Sequence, residues 1–276
     1  MEQYKLIIGG EWKDGDRNVE ITSPYDGSPI GSVAFGGEEH LRMAVEKTHR
    51  AFSLTRKMSS AERAGILGRI TVLLTARLEE FARTIASEAG KPIRDARGEV
   101  SRAVNTFSIA SEEAKRFGGE LLPLDTLPAT KGRWGITRRF PVGPTLGISP
   151  FNFPLNLVAH KVAPAIAVGN PVILKPSSNT PITALKLAEV ILEAGLPPEA
   201  ISVIPCRGKT VESILSDERM KKITFTGSPE VGWRLKSLAG KMRVTLELGG
   251  NAAVIVDDFE DLDFAIHRCV TGSYSY

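Results

Sequence analysis

The stretch "RVTLELGGN" places a single carboxylate, Glu247, between two leucines at the end of an apolar run and just before Gly249 and Gly250. In strand register Val244, Leu246 and Leu248 face one way, and Thr245 and Glu247 face the other. The glycines let the backbone approach a ligand closely. A carboxylate near apolar walls has a raised pKa, which suits a general base for water; a surface glutamate at a strand end fits the local pattern equally well. "SPFNFPLN" sets Asn152 between Phe151 and Phe153, with Pro150 and Pro154 outside them. That rigid bracket could present an amide to a developing oxyanion in a water-poor site, although an Asx-turn also uses Asn in this way. "PVILKPSS" puts Lys175 where an apolar strand ends, within reach of ribose hydroxyls or phosphate; a solvated lysine in a Pro-bounded loop is the alternative. "ITFTGSPEVG" ends a strand at Thr226, turns at Gly227 and caps a helix with Ser228 before Pro229. Free N–H groups at such a helix start attract phosphate, yet Gly-Ser-Pro also opens many ordinary helices.

These groups can act together only if their strands end side by side. From Pro141 onward the chain alternates: "PTLGISP" reads as strand, "PLNLVAHKVAPAIAVG" as helix, and "PVILKPS" as strand. "TPITALKLAEVILEAG" follows as a helix capped by Thr180, "AISVIP" as strand and "KTVESILSD" as helix. "KKITFTGS" is a strand, "PEVGWRLKSLAG" a helix and "RVTLELGGNAAVIV" strand material. Such alternation predicts an α/β fold, a doubly wound parallel sheet with helices on both faces and ligands at the carboxyl ends of its strands. The fingerprint G-x-G-x-x-G is absent, because no two glycines are separated by a single residue, so the ordinary phosphate turn is excluded. Before Pro141, "KLIIGGEWKDGD" has hairpin chemistry. Helical periodicity runs from Ser59 to Gly90 through Ile66, Ile70, Leu74, Phe81 and Ile85, and again from Asp95 to Phe117 through Val100 and Phe107. The helical segment thus spans 38–119. Prolines, Gly132 and the alternation around Trp134 and Ile136 predict a β-ribbon over 120–142, an arm suited to pairing with a neighbouring subunit or to an edge position.

Composition narrows the classes of function. The 276 residues are 42% hydrophobic and 24% charged, as in ordinary globular proteins. Thirty-five basic against 32 acidic side chains, with no dense Lys/Arg run, give no footprint for nucleic acid. Cys206 and Cys269 form no CxxC, and the four histidines lack metal-ligand spacing, so no metal site is expected. The N-terminus has no signal-peptide pattern, and Pro, Gly and Asn interrupt the longest apolar stretch. A cytoplasmic protein with no membrane partner is the expectation.

Taken in order, "SPFNFP", "LKPS", "FTGS" and "LELGG" resemble the aldehyde dehydrogenase superfamily, and the resemblance extends over essentially the whole chain. It implies that residues 1–276 are an NAD(P)-binding domain of the variant that lacks the glycine fingerprint. It also implies oxidation of a small aldehyde to a carboxylic acid through a cysteine thioester. Asn152 would then be the oxyanion donor and Glu247 the base. The cofactor, NAD or NADP, would meet Ser149, Pro150 and Phe151, then Lys175, Ser177 and Ser178. Further contacts would come from Gly208 and Lys209, from Phe225, Thr226, Gly227 and Ser228, and from Leu248 and Gly249. Ser178 stands where NAD-preferring members often carry glutamate, so a 2′-phosphate is compatible. Members carry the nucleophile in Gly-Gln-x-Cys just after a segment like "GSYSY"; the sequence stops at Tyr276, and Cys269 reads as a buried helical thiol. The catalytic domain is thus expected to be absent and the chain inactive alone. The family also implies a homodimer or homotetramer. A non-catalytic nucleotide-binding or assembly module is the competing class, and an acyl-phosphate or acyl-CoA reductase, which needs no hydrolytic base, would leave Glu247 without a purpose.

Overall fold

A computed structural model describes residues 1–257 and 261–274. The chain opens with five strands, β1 (Glu2–Tyr4), β2 (Leu6–Ile8), β3 (Glu11–Lys13), β4 (Arg17–Thr22) and β5 (Pro29–Phe35). The β2–β3 hairpin turns at Gly9 and Gly10, both at positive φ, as the paired glycines predict. Helices α1 (Glu38–Thr55), α2 (Ser60–Ala76), α3 (Leu78–Ala89) and α4 (Ile93–Arg116) follow. Periodicity alone predicts one helix over 59–90. The structure breaks it at Arg77, whose ψ of 19° leaves the helical region, and α3 turns to pack on α4. Ser59 caps α2, accepting from the Glu62 N–H while the Glu62 carboxylate accepts from the Ser59 N–H. The ribbon forms as expected from two antiparallel strands, β6 (Leu121–Pro123) and β7 (Trp134–Ile136), which expose Leu121, Trp134 and Ile136.

The second half supplies β8 (Thr145–Ile148), α5 (Asn156–Ala167), β9 (Val172–Lys175), α6 (Ile182–Glu193) and β10 (Ile201–Val203). Then come β11 (Lys222–Thr226), α7 (Pro229–Leu238), β12 (Arg243–Glu247) and α8 (Leu262–Tyr274). One sheet runs in the order β12-β11-β8-β9-β10-β2-β3. Its five consecutive members β12, β11, β8, β9 and β10 are mutually parallel, and the β2–β3 hairpin extends it antiparallel. Apolar side chains fill both faces. On one, Val172, Leu174 and Val203 join Leu74, Phe107, Val158 and Leu185 from α2, α4, α5 and α6. On the other, Leu146, Ile173 and Ile223 join Leu41 and Val45 from α1 and Leu235 from α7. No helix among the described residues is long and apolar enough to cross a membrane.

Four local expectations need correction. Residues 208–214 form a 3-10 turn rather than an α-helix; Val211 and Ile214, three apart, share its buried side. Thr180 does not cap α6: its hydroxyl finds no partner among the described residues, and the Glu88 carboxylate accepts the Ile182 and Thr183 N–H groups instead. Residues 251–256 are not strand. The ladder between β11 and β12 ends at Glu247, and Val254 and Ile255 are exposed. Cys269 does lie in a helix, but α8 buries none of its residues, so the thiol is half-exposed rather than part of a core.

Candidate active site

Leaving β8, the chain builds β9 and β10 on one side, then returns to build β11 and β12 on the other. The strand order therefore reverses between β8 and β11, where doubly wound sheets hold their ligands. A cleft of about 610 Å³ opens there, at the carboxyl ends of the strands. Ser149, Pro150 and Phe151 line it from the end of β8, and Lys175, Ser177 and Ser178 from the end of β9. Gly208 and Lys209 come from the 3-10 turn beyond β10, and Phe225, Thr226, Gly227 and Ser228 from the end of β11. Residues distant in sequence thus share one cavity because their strands are neighbours in the sheet.

Lys175 is buried rather than solvated. Its ammonium donates to the Pro176 carbonyl at 2.8 Å, and burial holds its pKa below the ordinary lysine value despite the nearby Cys206. The Cys206 thiol, fully buried, is pushed up to about 11 by the same desolvation. Ser178 donates its hydroxyl to the Cys206 carbonyl at 3.2 Å. Across the cleft, Ser228 caps α7 and accepts the Val231 N–H, and Pro229 occupies the first helical position. Gly227 is needed there because a Cβ would lie 2.5 Å from the Phe225 ring. Its N–H is already donated to the Glu247 carbonyl at 3.0 Å, so it is not free for a phosphate, whereas the Ser228 and Glu230 N–H groups make no hydrogen bond among the described residues.

The cleft omits four of the predicted residues. Leu248 and Gly249 lie against the start of α7, Leu248 beside Gly232 and Gly249 beside Pro229. Asn152 follows the cleft residue Phe151; it is exposed, and its side-chain amide bonds no described residue. Phe151 is 54% exposed and Phe153 half-buried, so the expected water-poor bracket is not formed by the described residues. Glu247 pairs in register with Thr226 at the end of the edge strand β12. Its carboxylate is exposed, without the apolar walls expected of a base with a raised pKa.

Other residues at the site escape sequence reasoning. Asn179, Glu212, Val231 and Arg234 also line the cleft, with Arg234 and Glu212 paired at 2.9 Å. Lys161, on α5, is 5% exposed and donates to the Thr226 hydroxyl at 2.7 Å. Burial pushes its pKa down to about 8, an effect that Glu247 opposes by its charge. A lysine inside the apolar helix "NLVAHKVAPAIA" is the signal that could have revealed it. Arg102 does not escape sequence reasoning: its place in "EVSRAVNTF" allows a contact with an anionic aldehyde, with a solvated helix face as the favoured alternative, and in the structure it lies over the Phe153 ring at 4.8 Å.

The lining fits a dinucleotide: cations at Lys175 and Lys209, an Arg234 balanced by Glu212, hydroxyls at Ser177 and Ser178, and a helix start aimed at the same space.

Comparison with known proteins gives a consistent picture. The family model described as "Aldehyde dehydrogenase family" matches residues 12–276. A 3-sulfolactaldehyde dehydrogenase of Priestia aryabhattai is 42% identical, over 96% of this chain and 55% of that protein. The crystal structure of aldehyde dehydrogenase 21 from Physcomitrella patens, in complex with the reaction product succinate, superposes with a TM-score of 0.94 at 43% identity. That match covers 99% of this chain and 57% of the other. An NADP-dependent glyceraldehyde-3-phosphate dehydrogenase from Bacillus halodurans C-125, complexed with NADP, also gives 0.94, at 32% identity over 100% of this chain and 59% of the other. The chain thus spans little more than half the length of these relatives.

Proposed function

The chain belongs to the aldehyde dehydrogenase family, and from that premise we propose that it is the cofactor-binding part of an enzyme oxidising an aldehyde to a carboxylic acid. The observation that carries this reading is the cleft at the β8–β11 switch point, where Lys175, Ser178 and Ser228 meet. Lys175 and the serines after β9 would hold a ribose, and the start of α7 a phosphate. Lys209, with no carboxylate at Ser178, favours an extra phosphate on that ribose and so NADP over NAD. A bound nicotinamide dinucleotide supplies the hydride acceptor. Asn152 would donate its amide to the aldehyde oxygen as negative charge develops, and Glu247 would take a proton from water.

Neither cysteine is placed for attack on a bound aldehyde. Cys206 is buried with a raised pKa, and Cys269 lies on α8, outside the cleft. The 276-residue chain is therefore expected to bind cofactor without turning over aldehyde. Calorimetry with NADP+ and NAD+ tests the reading; saturable binding of neither would refute it. Ser178→Glu is expected to move the preference about tenfold toward NAD+ by loss of charge complementarity, and an unchanged ratio would remove Ser178 from the argument. Turnover of propanal that disappears in Cys269→Ala would show the wrong thiol had been dismissed. Arg102 and the anionic groups named in the relatives' substrates and products support an acidic aldehyde as substrate. The exposed ribbon residues Leu121, Trp134 and Ile136 support a homodimer or homotetramer, which sedimentation would resolve.

A further inference from the structure

Behind the cleft, the corner between α3 and α4 carries three ionisable side chains that no step above uses. Glu88 and Lys91 are 3% exposed and Glu99 is fully buried. One Glu99 oxygen accepts the Leu155 and Asn156 N–H groups at 2.9 and 3.1 Å, and the other accepts the Lys91 ammonium at 2.6 Å. Lys91 also donates to the Asn152 carbonyl at 2.8 Å and lies 3.8 Å from the centre of the Phe153 ring. Glu88 accepts the Ile182 and Thr183 N–H groups, both at 2.9 Å.

The pattern is systematic. Neither α5 nor α6 has a side-chain cap of its own, and helix starts leave N–H groups that need acceptors. Both receive them from one corner of the helical segment, more than fifty residues away in sequence. The helices so held are those that follow the two cleft loops, 149–155 after β8 and 176–181 after β9. Stability alone is a weak reason for such chemistry, because a buried ion pair replaced by apolar groups of similar volume often leaves stability unchanged. Position is a better one: a charged hydrogen bond fixes a backbone atom where an apolar contact would let it slide.

We propose that Glu88, Lys91 and Glu99 are positioning residues that set the two cleft loops, with Lys91 fixing the peptide of Asn152 through its carbonyl. The proposal rests on reading the cleft as the cofactor site and Asn152 as the oxyanion donor.

The decisive variant is the double substitution Lys91→Met/Glu99→Gln. It removes both charges together, keeps the stem volumes and leaves an acceptor for the α5 start, so the fold is not left with a lone buried charge. Leu74→Ala, in the apolar core on α2, serves as a control that destabilises elsewhere. Each chain is compared at the same margin below its own melting temperature. Hydrogen exchange in the double variant is expected to quicken about tenfold over 149–156 and not over 176–183, where Glu88 still acts. NADP+ affinity, by calorimetry, is expected to fall about tenfold. Leu74→Ala should do neither. Unchanged exchange over 149–156, or the same local response in Leu74→Ala, overturns the proposal. So does an unaltered NADP+ affinity in a chain whose parent binds. If the parent binds neither NADP+ nor NAD+, it is the reading of the cleft that falls, and exchange in the ligand-free chain decides the positioning claim by itself.

Discussion

β8 and β12 belong to the same parallel run, one strand apart, yet they have opposite surroundings. Every residue of β8 is buried, whereas β12 alternates between exposed and half-buried positions. The lysine that ends β9, next to β8, is sealed beneath the cleft; the glutamate that ends β12 faces solvent. The residues proposed to hold the cofactor around β8 and β9 therefore sit on a scaffold closed on both faces, and their geometry is fixed by the core. The proposed base sits on a sheet edge, where the described residues supply register through Thr226 but no apolar surroundings. The same sheet has a finished half and an open one.

The largest effect that separates the halves is on stability. Phe107, fully buried between helices and sheet, should cost about 3–5 kcal/mol when cut to Ala. Ile266, on α8 and 51% exposed, should change stability by no more than about 0.5 kcal/mol. Urea unfolding of both variants measures this, and comparable losses would mean that α8 is packed in solution.

A second test concerns the closed half alone. Burial pushes the Glu88 carboxyl up to about 7, although the N–H groups it accepts pull the other way. A folded-state pKa raised from 4.5 contributes stability that is complete below about pH 4.5 and lost as pH rises through 7. The difference in unfolding free energy between the parent and Glu88→Gln should therefore shrink by about 3 kcal/mol across that window. A flat difference would show that the carboxylate is better compensated than its burial suggests.

How legible the two halves were in the sequence follows the same division. Alternating strands and helices announce the parallel sheet, because strands buried on both faces read as apolar runs such as "VILK". Lys175 and Ser228 could be placed at strand ends by reading where those runs stop. What stayed hidden depends on partners remote in sequence. Nothing in "EAGKP" shows that Glu88 supplants Thr180 at the start of α6, since a cap in trans has no local spacing. Arg77 breaks a helix whose apolar period continues across it, because packing of α3 on α4 outweighs the local pattern. For Glu247, alternation assigned the face correctly but not what covers it. Alternation reports which way a side chain points, and burial needs a second layer.

Lys161 joins the two halves and gives the smallest predicted effect. Its stem lies in the closed half, against Gly147 of β8, while its ammonium feels the charge of Glu247 on the open edge. Desolvation lowers its pKa from 10.5 to about 8. For a base depressed on folding, the associated stability is present above pH 10.5 and lost as pH falls through 8. At pH 7 the parent thus carries a penalty of about 3 kcal/mol, and its hydrogen bond to Thr226 returns about 1 kcal/mol. Lys161→Met should then be about 2 kcal/mol more stable than the parent at pH 7. Well above pH 10.5 the order should reverse, because the lysine is then neutral in both states and only the Thr226 bond distinguishes the chains. Unfolding at the two pH values checks this, since other titrating groups cancel in the difference. A variant less stable than the parent at both values would mean that Glu247 fully compensates Lys161, and the edge strand would then be held as firmly as the centre of the sheet.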